Sequence, residues 1–142
     1  MTMGSTGMRY GVSGSAVMRA AEAMLRSLGG TQVSVLLPLS ALPSDSSVQL
    51  GLVDPGVEEV VFSPVVVRNL PTENTGPRRR LEFLLGASAV AEAAVDRSIA
   101  SGLELLEKAL GVMYQGELLH IEGIVTERFG GTEYLYRVVG VE

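Results

Sequence analysis

The closing segment constrains the fold more than any other part of the chain. LLHIEGIVTER and TEYLYRVVGV are two extended, β-rich runs joined through Phe129-Gly130-Gly131. Two adjacent glycines accept the positive φ that a tight hairpin turn requires, so an antiparallel pair is predicted here. Gly123 interrupts the first run and marks a bulge or a bend where the sheet curls. Tyr134 and Tyr136 fall on one face at period 2 and read as a half-buried core edge rather than a stacking surface for a ligand.

The remaining segments supply partners for that hairpin. From Ser15 onward Val17, Ala21, Met24 and Leu28 share a helical face opposite Arg19, Glu22 and Arg26, and Gly29-Gly30 ends the helix. Ser13 or Ser15 would cap it, leaving residues 1–12 as a flexible arm ahead of a single domain over 13–142. TQVSVLLP (31–38) alternates Val33, Val35 and Leu37 against Gln32, Ser34 and Leu36 and reads as a strand with one buried face. Residues 39–56 form an excursion with at most a brief strand near Val48 to Leu52. VVFSPVVVR (60–68) is strongly β-branched, yet Pro64 cannot donate to a ladder, which implies an edge strand, a bulge or two short strands. LEFLLG (81–86) is the returning strand. An alanine-rich helix over 88–99 follows, then a second short helix whose Ser101 and Glu104 have capping-box spacing and which Gly111 would end. The expected class is α+β: a mostly antiparallel sheet able to roll into a small barrel, with an N-terminal helix, two short central helices and a C-terminal hairpin.

Composition excludes several functions. The 142 residues carry no cysteine, which removes disulfides, thiol catalysis and thiolate metal sites. A net charge of -5 disfavours a surface dedicated to the nucleic-acid backbone. No apolar run is long enough for a membrane span, and MTMGSTGMRYG lacks the segments of a signal peptide, so residence inside the cell is expected. His120 is the single histidine; a metal there would need Glu117 or Glu122, and any Ser-His-acid triad would need His120 itself. Neither phosphate-binding glycine pattern occurs. The expectation is therefore a protein that is not an enzyme and uses no metal or cofactor.

The loop LPTENTGPRRRLEF (70–83) is different in kind. Pro71 and Pro77 limit its freedom, Asn74-Thr75-Gly76 makes the turn, and three arginines follow at Arg78, Arg79 and Arg80. Connections this long tend to carry contacts, and guanidinium groups suit carboxylate or phosphate partners. Arg78, Arg79 and Arg80, with Glu73 and Asn74 in the turn, are the candidate partner-binding residues; the arginines equally well begin the next strand with alternate side chains in water.

GELLHIEGIVTERFGGTEYLYRVVGVE resembles the ending of small head-completion and head-to-tail connector proteins of tailed bacteriophages and prophages. Gly116, Leu119, Ile121, Gly123, Tyr136, Val138 and Val139 occupy the pattern of that hairpin, and LEFLLGASAV and LELLEKALGV add to it. The resemblance implies a structural protein that assembles as a homo-oligomeric ring and joins portal, adaptor or tail proteins. It would reside in the host cytoplasm during assembly and then in the neck of the virion, with DNA passing through the ring without specific binding. The leading helix and the 39–56 excursion depart from the pattern. The alternative from a different class is a small bacterial β-barrel that holds a ligand or peptide between its sheet and the first helix.

Overall fold

A computed structural model describes residues 5–39, 56–71 and 78–142, with the side chains of the first helix described from Ala16. The elements run α1 (Ser5–Ser27), β1 (Thr31–Pro38), β2 (Val57–Leu70), β3 (Arg80–Gly86), α2 (Ala87–Asp96), α3 (Gly102–Lys108), β4 (Gly111–Tyr114), β5 (Glu117–Phe129) and β6 (Thr132–Val141). The six strands close into a barrel in the order β1-β2-β3-β6-β5-β4, and every neighbouring pair is antiparallel. The expected α+β class, the rolled sheet, the N-terminal helix, the two central helices and the terminal hairpin are all present.

Alternation along each strand fills the lumen. Val33, Val35 and Leu37 of β1 point inward as the sequence pattern predicts, beside Leu81, Phe83 and Leu85 of β3 and Tyr136 and Val138 of β6. Strand β2 resolves the puzzle of Pro64. Val60 and Phe62 are buried before it, Val65 after it, and the register to β1 slips between Thr31 and Val33. Ser63 and Pro64 form a bulge that flips the parity of the strand, so that both apolar halves face the core. Of the three possibilities the sequence offered, the bulge is realised. Two further bulges interrupt the β5–β6 pair. Glu122 is an extra residue between the pairs Ile121–Gly140 and Gly123–Val139, and Tyr134 is an extra residue beside the pair Glu127–Leu135.

Helices α2 and α3 bridge β3 to β4 and contribute Ala87, Val90, Ala93, Ala94, Leu105 and Leu106 to the same core. The alanines of α2 allow close approach. Helix α2 ends at Asp96 rather than 99, because Ser98 turns into the left-handed region at φ 56. In α3 the capping box is realised: Ser101 Oγ accepts from the Glu104 amide at 3.1 Å, and Glu104 Oε2 accepts from the Ala100 amide at 3.1 Å. Gly111 does not end that helix, which stops at Lys108; it opens β4, where an added Cβ would lie 2.6 Å from the Leu119 carbonyl oxygen.

Helix α1 begins at Ser5, ten residues before Ser15, so the segment expected as an arm over 1–12 is helical from Ser5. Gly7, Gly11 and Gly14 hide this extension in the sequence, since each costs about 1 kcal/mol of helix propensity relative to Ala. Its docked face also differs from the expected stripe. Ala21 and Leu25 are buried, Leu25 against Leu84 and Leu135, while Met24 and Leu28 are exposed. The end of the helix fixes that choice. Gly29 at φ 80 donates to Arg26 O and Gly30 donates to Leu25 O, a Schellman motif that seats Gly30 directly on Pro64. No helix among the described residues is long and apolar enough to cross a membrane.

Candidate functional site

One end of the barrel is rimmed by the arginine run. Strand β3 begins at Arg80, which pairs with Leu70 on one side and Val141 on the other. Arg79 and Arg80 reach across the end of β6 to β5. Arg79 Nη2 donates to Glu117 at 3.0 Å and lies 3.6 Å through Nε from Glu142, and its backbone carbonyl accepts from the Glu142 amide. Arg80 Nη2 donates to Glu122 at 2.6 Å. Of the two readings of the run, the start of a strand describes Arg80, and for both Arg79 and Arg80 other residues of the same chain supply carboxylates. Arg78 is exposed, whereas Glu73, Asn74 and the rest of the turn lie outside the described residues.

The same pairing bears on His120. It is exposed on β5 opposite Val141, and the two carboxylates that could have joined it at a metal, Glu117 and Glu122, are held by Arg79 and Arg80. Among the described residues no three His, Asp or Glu side chains gather as a metal-holding group.

A charged ladder crosses the outer wall and was not anticipated from the sequence. Glu82, in cross-strand register with Arg68, is buried with its side chain 4% exposed. It accepts from Arg68 Nε at 2.9 Å and from Arg137 at 3.1 and 2.9 Å, and Arg137 continues to Glu127 at 3.2 Å. Four strands are thus tied by side chains. Burial alone would raise the Glu82 carboxyl, but the hydrogen bonds and charges of Arg68 and Arg137 prevail, and its pKa lies below the ordinary value. Arg137 is raised in turn, chiefly by its hydrogen bond to Glu82. The signal in the sequence is positional: Arg68 and Glu82 lie equally far either side of Thr75, the middle of the expected turn.

Tyr134 and Tyr136 do not share a face, because the bulge at Tyr134 separates them. Tyr136 enters the lumen, where its hydroxyl donates to Glu133 Oε1 at 3.2 Å, and burial, with Glu133 beside it, pushes its pKa up to about 12. Tyr134 packs outside against α1. Phe83 and Tyr114 meet edge to face with ring centroids 5.8 Å apart, so the lumen is occupied by side chains.

Several grooves mark the surface. One, of about 330 Å³, lies between α1 and the β5–β6 hairpin and is lined by Val17, Ala20, Ala21, Met24, Phe129 and Tyr134. Phe129 precedes the Gly130-Gly131 turn and is 67% exposed. Another, also about 330 Å³, lies between β2 and α2 and is lined by Val61, Ala89, Glu59, Glu92, Asp96 and Arg97 among others. Arg97 also lines a larger groove of about 560 Å³ with Glu58 and Lys108, and closes α2 onto β2 by donating to both Glu58 oxygens and to the Ala93 carbonyl. No protein-family model, no curated protein and no solved structure matches this chain.

Proposed function

We propose that this chain is a non-enzymatic structural protein of a phage or phage-like particle, one that assembles into a ring within the head-to-tail connector. The carrying observation is the contrast between a filled lumen and an outer surface with exposed apolar side chains, Met24, Leu28 and Phe129 among them. Exposed apolar patches on a small rigid domain mark protein contacts. A ligand-binding barrel asks instead for one closed apolar pocket. Among the described residues the lumen space such a ligand would need is taken by Phe83, Tyr136 and their neighbours.

The partners in this reading are further copies of the chain and the portal, adaptor or tail proteins beside the ring. Its acidic balance lets DNA pass through the ring without adhering. Of the arginine run, exposed Arg78 carries the docking role, while Arg79 and Arg80 hold the rim. The protein then resides in the host cytoplasm before assembly and in the neck of the particle after it. The test is removal of the gene from a host that produces the particles, followed by electron microscopy of the lysate. The expected outcome is filled heads and free tails that fail to join, with joining restored by the wild-type chain and by His120→Gln. Normal joined particles in the absence of the protein would overturn the proposal.

A further inference from the structure

Strand β5 outruns its neighbour on one side. Its ladder to β4 stops at the pair Val112–Leu119, whereas its ladder to β6 continues to Phe129–Thr132. The chain entering β4 does not prolong the first ladder, because the Leu110 amide turns the other way and donates to Leu36 O of β1 at 2.7 Å. Among the described residues the β5 backbone past His120 therefore has no ladder partner on that side, and no residue from His120 to Phe129 is buried.

A groove of about 380 Å³ runs along this edge. Leu103, Leu106 and Glu107 of α3 line one wall, and Ile121, Ile124 and Thr126 of β5 line the other. Natural sheets blunt an exposed edge with charges or proline, yet Gly123-Ile124-Val125-Thr126 carries neither. The ionisable residues lining the groove are both acids: Glu122, which Arg80 holds, and Glu107, which is exposed and forms no ion pair among the described residues.

We infer that this edge receives an extended segment of a partner protein, one that alternates apolar with basic residues and adds as a further strand between β5 and α3. A row of free main-chain donors and acceptors is matched by another extended backbone, while the apolar walls and Glu107 select among side chains. A second folded copy fits poorly. Its matching edge stands beside its own α3, so meeting edge to edge would bring a helix as well as a strand into a gap that α3 already bounds. The inference goes beyond the ring proposed above and stands whether or not that ring forms.

The probe is a synthetic peptide, blocked at both ends, in which valine alternates with lysine and threonine. It is titrated into isotope-labelled full-length protein and followed by nuclear magnetic resonance. The expected result is movement of the amide signals of residues 121–126 and of α3, with hydrogen exchange slowed along 121–126. A strand turns only every second N–H toward a given neighbour, so of two peptides methylated on alternate sets of nitrogens, one should bind about tenfold more weakly and the other almost unchanged. Glu107→Lys, exposed on α3, should weaken binding several-fold. Equal affinity for the two methylated peptides, or no binding of the unmethylated one, would overturn strand addition. Edge amides already slow to exchange in dilute protein would show that the chain covers its own edge, and protection that grows with protein concentration would show that a second copy does; either result sinks the proposal.

Discussion

Glu82 carries the charge balance of the outer wall. Its carboxylate is buried between two guanidinium groups that are themselves half in water, Arg68 at 54% and Arg137 at 38% exposure. Removing it takes the carboxylate from Arg68 and leaves Arg137 with Glu127 alone, so Glu82→Ala is expected to cost about 2 kcal/mol, near the value of a hydrogen bond to a charged group after allowance for solvent. Chemical denaturation measures it. Because the folded-state pKa is depressed, the stabilisation is present above the unfolded value of 4.5 and is lost as pH falls through the lower folded one. The stability gap between wild type and Glu82→Gln should hold constant from pH 7 to about 5 and narrow in stronger acid. Tyr136 has the opposite sign. Its folded pKa of about 12 exceeds the unfolded 10.0, so its contribution is complete below pH 10 and lost between the two values. Ultraviolet titration should show a tyrosine phase that resists ionisation beyond pH 11, and Tyr136→Phe should remove it.

At the scale of elements, the joint between α1 and the barrel wall depends on a missing side chain. A Cβ on Gly30 would lie 2.6 Å from Pro64 Cβ and 2.8 Å from the Leu25 carbonyl, with no flexible group able to yield. Gly30→Ala should therefore destabilise by about 2 to 3 kcal/mol, the range for overpacking. At Gly116, where φ is 80 but nothing lies within 4 Å, the same change should cost only about 1 kcal/mol of backbone strain. Equal thermal shifts for the two would show that the α1 joint is not the tight contact described. Much of this level was legible in the sequence. Strand β1, the Gly130-Gly131 turn at φ 58 and 80, the capping box and the bulge near Gly123 follow local rules that residues state for themselves. Strand β4 escaped notice because four residues show no period, although Gln115-Gly116, at φ 52 and 80, is a turn of the same two-residue kind. The docked face of α1 and the face of Tyr134 were beyond local reading, since each depends on a contact or bulge set by another element.

For the molecule as a whole, the barrel is only as firm as its shortest stave. Strand β4 is joined to β1 by three residue pairs and to β5 by three, against nine between β5 and β6. Hydrogen exchange should therefore find the amides of Gly111 to Tyr114 opening ahead of those of β5 and β6; uniform protection around the barrel would contradict this ordering. The arginine rim belongs to the same level. Arg79→Glu with Arg80→Glu should lower stability measurably, by about 1 to 2 kcal/mol, because like charges then face Glu117, Glu122 and Glu142, each of the pairs lost being partly exposed. Arg78→Glu should leave the melting curve unchanged and impair only the joining of particles. For the candidate surfaces, the sequence pointed to the arginine run but not to Phe129, which the end of β5 leaves 67% exposed beside α1.

Closure of the sheet has a consequence for how any assembly of this protein is governed. Among the described residues every strand of the barrel has a neighbour on either side, so no whole strand edge stands open to another chain, although stretches beyond the shorter ladders, such as β5 past Leu119, are paired on one side only. Recognition is left mainly to side chains. Such contacts are individually replaceable and sensitive to ionic strength, and they can be made and undone without disturbing the fold. A particle built this way can wait for its components in the right order, because no strand of the described barrel stands as a whole open edge inviting irreversible welding.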